Sequence, residues 1–193
     1  MVQQSDHDAA RSYFRRRQEQ RRQVQSAPPP WEDDPVASDP SIIRFDKHDG
    51  GHPYLANDYP AAITLEEGEF PTIAHAYWAL AATDMEVRHR IASASTGHEA
   101  QQITQGVSRR PDWNIVRLAI MLRLVREKFR QHPDLASQLI ATGDGRLING
   151  VDFSNYWGDY RGNGRNWPGR TLEMVRAELQ ESPYQREGSD ATK

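Results

Sequence analysis

A segment near the carboxyl end of the chain combines the residue types that bind phosphate and flat rings. It spans residues 155–170 and reads NYWGDYRGNGRNWPGR, in which Gly158 begins the glycines and Arg161, Arg165 and Arg170 supply guanidinium groups. Glycine lets backbone amides approach a ligand closely, and guanidinium pairs with phosphate oxygens. The segment contains neither GxxxxGK[ST] nor GxGxxG, so it predicts neither a P-loop nor a Rossmann crossover. A ligand-binding loop and a loop that only caps the next helix both fit this composition.

Two other stretches, PYLANDYP at 53–60 and RRPDW at 109–113, also gather polar and aromatic side chains. Asn57 can hydrogen-bond a base or a sugar, and Arg109 and Arg110 can hold a phosphate. Trp113 can stack on a heterocycle, a contact worth about 1–3 kcal/mol. With residues 155–170, these stretches favour a nucleotide-like ligand. The structural alternatives are a tryptophan that covers the edge of the core and a solvated arginine pair.

The elements that must position these residues are mostly helices. SIIRF and AAITL each predict a short strand, and the two could pair. RLINGV predicts a later strand. Helices are predicted by the opening proline and threonine of PTIAHAYWALAAT, and by Pro133, Asp134 and the terminating Gly143 of HPDLASQLIATG. MEVRHRIASAS, HEAQQITQGV and TLEMVRAELQ are interpreted as further helices. The order of elements indicates a mainly α, α+β domain, a compact multihelical fold with a small β-sheet.

The longest periodic stretch is PDWNIVRLAIMLRLVREKFRQ, residues 111–131. Its apolar residues recur at steps of three and four, which predicts a helix with one buried face. The residues assigned to that face are Ile115, Leu118, Leu122, Val125 and Phe129. They are interpreted as packing residues, and the arginines between them as the solvent face.

The predicted folded domain covers residues 41–182 and lies between two polar segments. Residues 1–40 are interpreted as a disordered basic arm and a proline-rich linker, and residues 183–193 as a polar tail. Residues 1–25 carry six arginines against Asp6, Asp8 and Glu19, a charge of +3. Such an arm predicts a weak nucleic-acid contact, with a solvated, frayed tail as the alternative.

Composition excludes several kinds of site in the 193-residue chain. It contains no cysteine, so disulfides, thiolate nucleophiles and cysteine zinc sites are absent. The seven histidines form no HExxH or other local pair, and we predict no metal and no cofactor. No run of about 18 apolar residues and no signal-like N-terminus occurs, which predicts a cytoplasmic protein without a membrane partner.

Residues 42–179 resemble the YbiA-like, or NADAR, domain, through five motifs that occur in the same order. Opposite the family patterns LSNF, P-T-x-E-H and R-x-x-W, this chain reads LAND at 55–58, PTIAH at 71–75 and RPDW at 110–113. Opposite the TG helix end and the D-x-x-W-G and G-x-N-x-x-G patterns, it reads ATGDG at 141–145 and YWGDYRGNGRNWPG at 156–169.

This resemblance implies a mainly helical fold that hydrolyses N-glycosidic bonds of ribosylated compounds. Members act on the ribosylaminopyrimidine phosphates that begin riboflavin synthesis, or remove ADP-ribose from guanine bases. Breaking such a bond builds positive charge on the sugar carbon and negative charge on the leaving nitrogen, and a carboxylate near each can assist.

Three positions depart from the family pattern. Glutamate before the histidine of the helix start is replaced by Ala74, beside a retained His75, and a lysine seven residues later is replaced by Ala81. The acid three residues before the WG tryptophan is replaced by Ser154. The side chains implied for proton or covalent chemistry are therefore missing from their usual places.

Two accounts explain this loss. In the first, Asp152 or Asp159 supplies the catalytic carboxylate of an N-glycosidase; in the second, the domain is an inactive module that binds an ADP-ribose-like or pyrimidine nucleotide. The substrate-binding residues in either account are Trp113, Arg110, Asn57, His75, Trp157, Gly158, Arg165 and Asn166. The alternative roles are turn hydrogen bonding for the aspartates, an interior position for His75, and loop shaping for Asn166.

Overall fold

The computed structural model describes residues 41–45, 51–150, 155–159 and 164–181. The predicted arm, linker and tail lie outside these ranges, as do Asp152, Ser154 and Arg161. Strands of the described part are β1 Ile42–Phe45, β2 Ile63–Leu65, β3 Gly68–Phe70 and β4 Arg146–Asn149. Its α-helices are α1 Ile73–Ala81, α2 Met85–Ala92, α3 Gly97–Ile103, α4 Trp113–Gln131, α5 Pro133–Ala141 and α6 Trp167–Glu181. The mainly helical α+β prediction is confirmed.

The strands form two separate pairs. Strand β1 runs parallel to β4, with Ile42 opposite Arg146 and Phe45 opposite Asn149. Strands β2 and β3 form a tight antiparallel hairpin in which Leu65 faces Gly68. The predicted pairing of the first two strands is therefore wrong, because each finds its partner elsewhere.

Helix α1 lies at the centre of the helical layer. Thr72 caps its first turn by accepting a hydrogen bond from the His75 amide, and eight of its nine residues are buried. Such all-round apolar composition suits a helix surrounded by others. Accordingly, α1 packs against α2, α3 and α4.

Helix α4 is the 19-residue element that the periodic stretch predicted, but its buried face differs from the predicted one. Ile115 is 84% exposed, so its assignment to the core is wrong. The buried residues of α4 are Trp113, Met121, Leu124, Val125, Lys128 and Phe129. Leu118 and Leu122 are half-buried at the margin of that face.

The last helix begins at Trp167, earlier than Thr171, the first residue of the predicted TLEMVRAELQ, and packs against α4, α5 and β4. The Asn166 carbonyl accepts a hydrogen bond from the Arg170 amide, which closes the first turn. Across the described ranges, every helix is too short or too polar to span a bilayer.

Candidate ligand pocket

A pocket of about 380 Å³ opens where α1, α3 and the loop after Leu55 meet. This volume lies within the range of small-molecule sites. Its wall combines three amide side chains, one carboxylate, one imidazole and three aromatic rings. The lining residues include Asn57, Asp58, Ala74, Tyr77, Trp78, Gly97, His98 and Trp157.

Helix α1 supplies one wall through residues at helical spacing. Ala74, Tyr77 and Trp78 are three and four positions apart, so they share one face of the helix. Ala74 stands where the family resemblance places glutamate, and its methyl group lines the pocket. Ala81, at the missing lysine position, is fully buried and lies outside the pocket lining.

Tyr77 is the centre of an aromatic cluster. Its ring centroid lies 4.8 Å from that of Trp113, 5.1 Å from that of Trp78 and 5.6 Å from that of Trp157. Burial raises the pKa of the Tyr77 hydroxyl well above its usual value, so the hydroxyl stays protonated. The cluster thus offers rings for stacking and one neutral hydrogen-bonding group.

The loop that carries Asn57 and Asp58 is held from beneath by a buried lysine. Lys128 Nζ donates to the Tyr54 carbonyl at 2.6 Å and to the Ala56 carbonyl at 3.1 Å. On the other side, the Ala74 amide donates to the Asn57 carbonyl at 3.0 Å. Burial lowers the pKa of the Lys128 ammonium to about 7. Sequence reasoning missed Lys128, although it continues the buried face of α4 at helical spacing.

His75 faces a second cavity of about 500 Å³, which shares Asp58, Gly97 and His98 with the first. Its Nε2 lies 3.1 Å from the Ala94 carbonyl oxygen, and its Nδ1 lies 2.8 Å from Thr72 Oγ1. Because a carbonyl oxygen only accepts, Nε2 carries a proton. Both ring nitrogens are therefore engaged within the protein.

Asn166 connects the glycine-rich coil, described at residues 155–159 and 164–166, to β4. Its Oδ1 accepts from the Asn149 amide at 2.9 Å, and its Nδ2 donates to the Leu147 carbonyl at 2.7 Å. The residue is buried and adopts φ 48°, a left-handed conformation that asparagine tolerates. This position fits the loop-shaping alternative for Asn166.

Gly158 and Asp159 are built into the same coil. The buried Gly158 carbonyl accepts from the Asn166 amide, and Asp159 Oδ1 accepts from the Gly164 amide at 3.1 Å. A Cβ on Gly164 would lie 1.8 Å from the Gly158 carbonyl oxygen, so only glycine fits there. Asp159 is not among the residues that line the pocket.

The predicted site residues are thus brought together only in part. Asn57 and Trp157 line the pocket, whereas Trp113 is buried behind Tyr77. Arg110 pairs with Asp112 through two bonds of 2.6 and 2.9 Å, outside the pocket lining. Arg165 is exposed, with its guanidinium carbon 5.9 Å from the centre of the Tyr156 ring.

Sequence reasoning also missed Asp58, Tyr77, Trp78 and His98. The helical spacing of Tyr77 and Trp78 from Ala74 was an available signal. No local signal identified Asp58 or His98, because their position depends on contacts between separate elements. Within the described ranges, no group of three or more histidine and carboxylate side chains could hold a metal ion.

The NADAR domain profile matches residues 44–180. This chain belongs to the NADAR domain family. It is 39% identical over 146 residues to a riboflavin biosynthesis protein of Vibrio vulnificus, a match that covers 74% of this chain. The chain spans only 40% of that relative's length. It is also 31% identical to an N-glycosidase of Nostoc punctiforme, over 65% of this chain and 84% of the relative.

A solved structure supports this NADAR assignment. The NMR structure of Escherichia coli YbiA superposes with a TM-score of 0.65 at 27% sequence identity. The match covers 72% of this chain and 84% of YbiA.

Proposed function

We propose that the pocket binds a ribosylated heterocycle and hydrolyses its N-glycosidic bond. Family membership and relatives named N-glycosidases support the reaction type. The proposal rests on the composition of the pocket lining. It brings together the amide of Asn57, the carboxylate of Asp58 and the aromatic rings of Tyr77 and Trp157.

The pocket offers a separate group for each part of such a substrate. Trp157 and Trp78 present ring surface on which a flat heterocycle can stack. Asn57 carries an amide that can donate to and accept from base or sugar hydroxyl groups. The substrate candidates are a ribosylaminopyrimidine phosphate of riboflavin synthesis and an ADP-ribosylated guanine nucleotide. Arg110 and Arg165 remain predicted phosphate contacts. Asp152 and Asp159 remain the carboxylates predicted from the sequence to be catalytic.

Incubation of the full chain with each substrate, followed by chromatography of the free base, tests the reaction. We expect release of base from one of the two substrates, well above a heat-denatured control. Asn57→Ala should reduce kcat/KM at least tenfold, because it removes a hydrogen-bonding side chain at the pocket wall. Asn114→Ala, on the exposed face of α4, is the matched control and should keep full activity. Absence of release from both substrates would reject the enzyme proposal.

A second candidate is an inactive module that recognises ADP-ribose or a pyrimidine nucleotide. It is favoured by Ala74, which places a methyl group in the pocket where the family pattern has glutamate. Ligand-dependent thermal stabilisation together with no base release would select this module.

Nucleic-acid binding by the basic arm stays a prediction, since residues 1–25 lie outside the described ranges. Deletion of these residues should abolish such binding, and binding to the full chain should fall steeply with added salt. Unchanged binding after the deletion would remove the arm from consideration.

A further inference from the structure

Among the described residues that line the pocket, Asp58 supplies the one carboxylate. Its side chain is packed into the wall between two other elements. A Cβ added to Gly97 would lie 1.8 Å from Asp58 Oδ1 and 2.7 Å from the Ala74 Cβ. Asp58 Oδ1 and the Ala74 Cβ therefore lie no farther apart than the sum of these two distances. Gly97 is glycine because the carboxylate occupies this space.

The backbone that carries Asp58 is anchored at three successive points. Lys128 binds the carbonyls of Tyr54 and Ala56, and the Ala74 amide binds the carbonyl of Asn57. A carboxylate on such a support keeps its position when a ligand enters, which is a requirement of electrostatic catalysis. Asp58 also lines the second cavity, so it stands where the two cavities adjoin.

Asp159 is placed differently. Its Oδ1 accepts a hydrogen bond from the Gly164 amide within the glycine-rich coil, and the residue is absent from the pocket lining. A carboxylate bound in this way stabilises its own turn. Because Asp58 lines both cavities and Asp159 lines neither, the described geometry favours Asp58 over Asp159 as the group that faces a substrate.

We propose that Asp58 is the catalytic carboxylate of this pocket, a role that rests on the proposed N-glycosidase function. Water attacks the anomeric carbon of the sugar while the bond from that carbon to the heterocycle nitrogen breaks. The bond pair leaves on the nitrogen. Asp58 accepts the proton that the water releases, and this proton then passes to the leaving nitrogen. The anionic carboxylate also offsets the positive charge that develops on the sugar.

The first test replaces the carboxylate by its neutral isostere. Asp58→Asn should lower kcat at least 100-fold on the substrate that the wild-type protein cleaves, the range expected for loss of a general base. The acidic limb of the kcat/KM–pH profile should disappear with it. Asp144→Asn, an exposed aspartate before β4, is the matched control and should keep wild-type rates.

Chemical rescue tests the role independently of any effect on folding. In Asp58→Gly, added formate should restore kcat with a saturating dependence, and chloride at equal ionic strength should not. Ala74→Glu in the same background should restore activity without formate, because it delivers a carboxylate to the same space from the opposite element of the wall.

The outcomes separate the two proposals. If the wild-type protein releases no base, the N-glycosidase proposal fails and the role of Asp58 fails with it. If the wild-type protein is active and Asp58→Asn keeps kcat within fivefold, only the assignment of Asp58 is overturned. Inactive Asp58→Gly that neither formate nor Ala74→Glu restores would also overturn it.

Discussion

Trp113 and Trp157 contact the same tyrosine ring, yet only one of them belongs to the pocket. Trp113 is 5% exposed and lies behind Tyr77, whereas Trp157 is half-buried and lines the cavity. Both tryptophans occur in motifs that predict substrate binding. The pocket therefore has a supporting side, formed by Trp113 and Lys128 of α4, and a ligand side that includes Trp157. Residue type identifies an aromatic cluster, but burial decides which ring a ligand can reach.

The largest expected effect on the supporting side is that of Trp113→Ala. Truncation of a fully packed tryptophan leaves a cavity, and we expect the free energy of unfolding to fall by about 3–5 kcal/mol. Urea denaturation followed by circular dichroism measures this loss. Wild-type stability combined with lost ligand affinity would place Trp113 on the ligand side instead.

Lys128→Met tests the second member of the supporting side. The unbranched side chain keeps the volume but removes the donor to two carbonyls, so the free energy of unfolding at pH 9 should fall by about 1–3 kcal/mol.

The same variant tests the pH dependence that Lys128 brings. The folded protein loses this proton above pH 7, whereas the unfolded lysine holds it up to about 10.5, so the unfolded state binds more protons between these values. The contribution of Lys128 to stability therefore rises from pH 7 towards 10.5 and is lost as the pH falls through 7. The difference in unfolding free energy between wild type and Lys128→Met should change across this window. A constant difference would contradict the lowered pKa.

Trp157→Ala tests the ligand side. The dissociation constant for ADP-ribose, measured by calorimetry, should rise about tenfold, or about 1.4 kcal/mol. Because Trp157 is half-buried, its effect on stability should be smaller than that of Trp113→Ala. Trp31→Ala, in the predicted linker, is the matched control. Equal affinities of the two variants would remove Trp157 from the ligand side.

Arg165→Gln should give the smallest effect. The guanidinium is exposed and lies next to Tyr156, whose ring centroid is 4.8 Å from that of Trp157. A contact to phosphate across exposed solvent is screened, so we expect roughly a threefold loss of affinity for a phosphorylated ligand at low salt. Affinity for the dephosphorylated ligand should not change. An equal loss for both ligands would contradict a phosphate contact.

The positions of most helices and strands could be predicted from the sequence, because local spacing and capping determine them. The face that α4 buries could not, since the predicted and observed faces share Val125 and Phe129 but differ at Ile115 and Met121. Both faces are apolar, and the packing of neighbouring elements selects between them. The periodicity of a sequence shows which side chains share one face of a helix. Tertiary contacts determine which face turns towards the core.

The candidate site was predictable to a smaller extent. Asn57 and Trp157 were identified because each lies in a motif with its own local signal. Asp58, Ala74 and Gly97 meet from a loop and two helices, and no local pattern encodes that meeting. The role of Lys128 could not be predicted, because a lysine in a charged helix is ordinarily solvated and its partners are carbonyls more than seventy residues earlier.

The pairing of β1 with β4 has a consequence for synthesis of the chain on the ribosome. Ile42–Phe45 finds its hydrogen-bonding partner only at Arg146–Asn149, and Asn166 then ties β4 to the start of α6. During translation, β1 must therefore wait until nearly the whole domain has emerged before it can join a sheet. We expect nascent chains that end before β4 to remain sensitive to proteases at residues 41–45, and chains that extend through α6 to become resistant there.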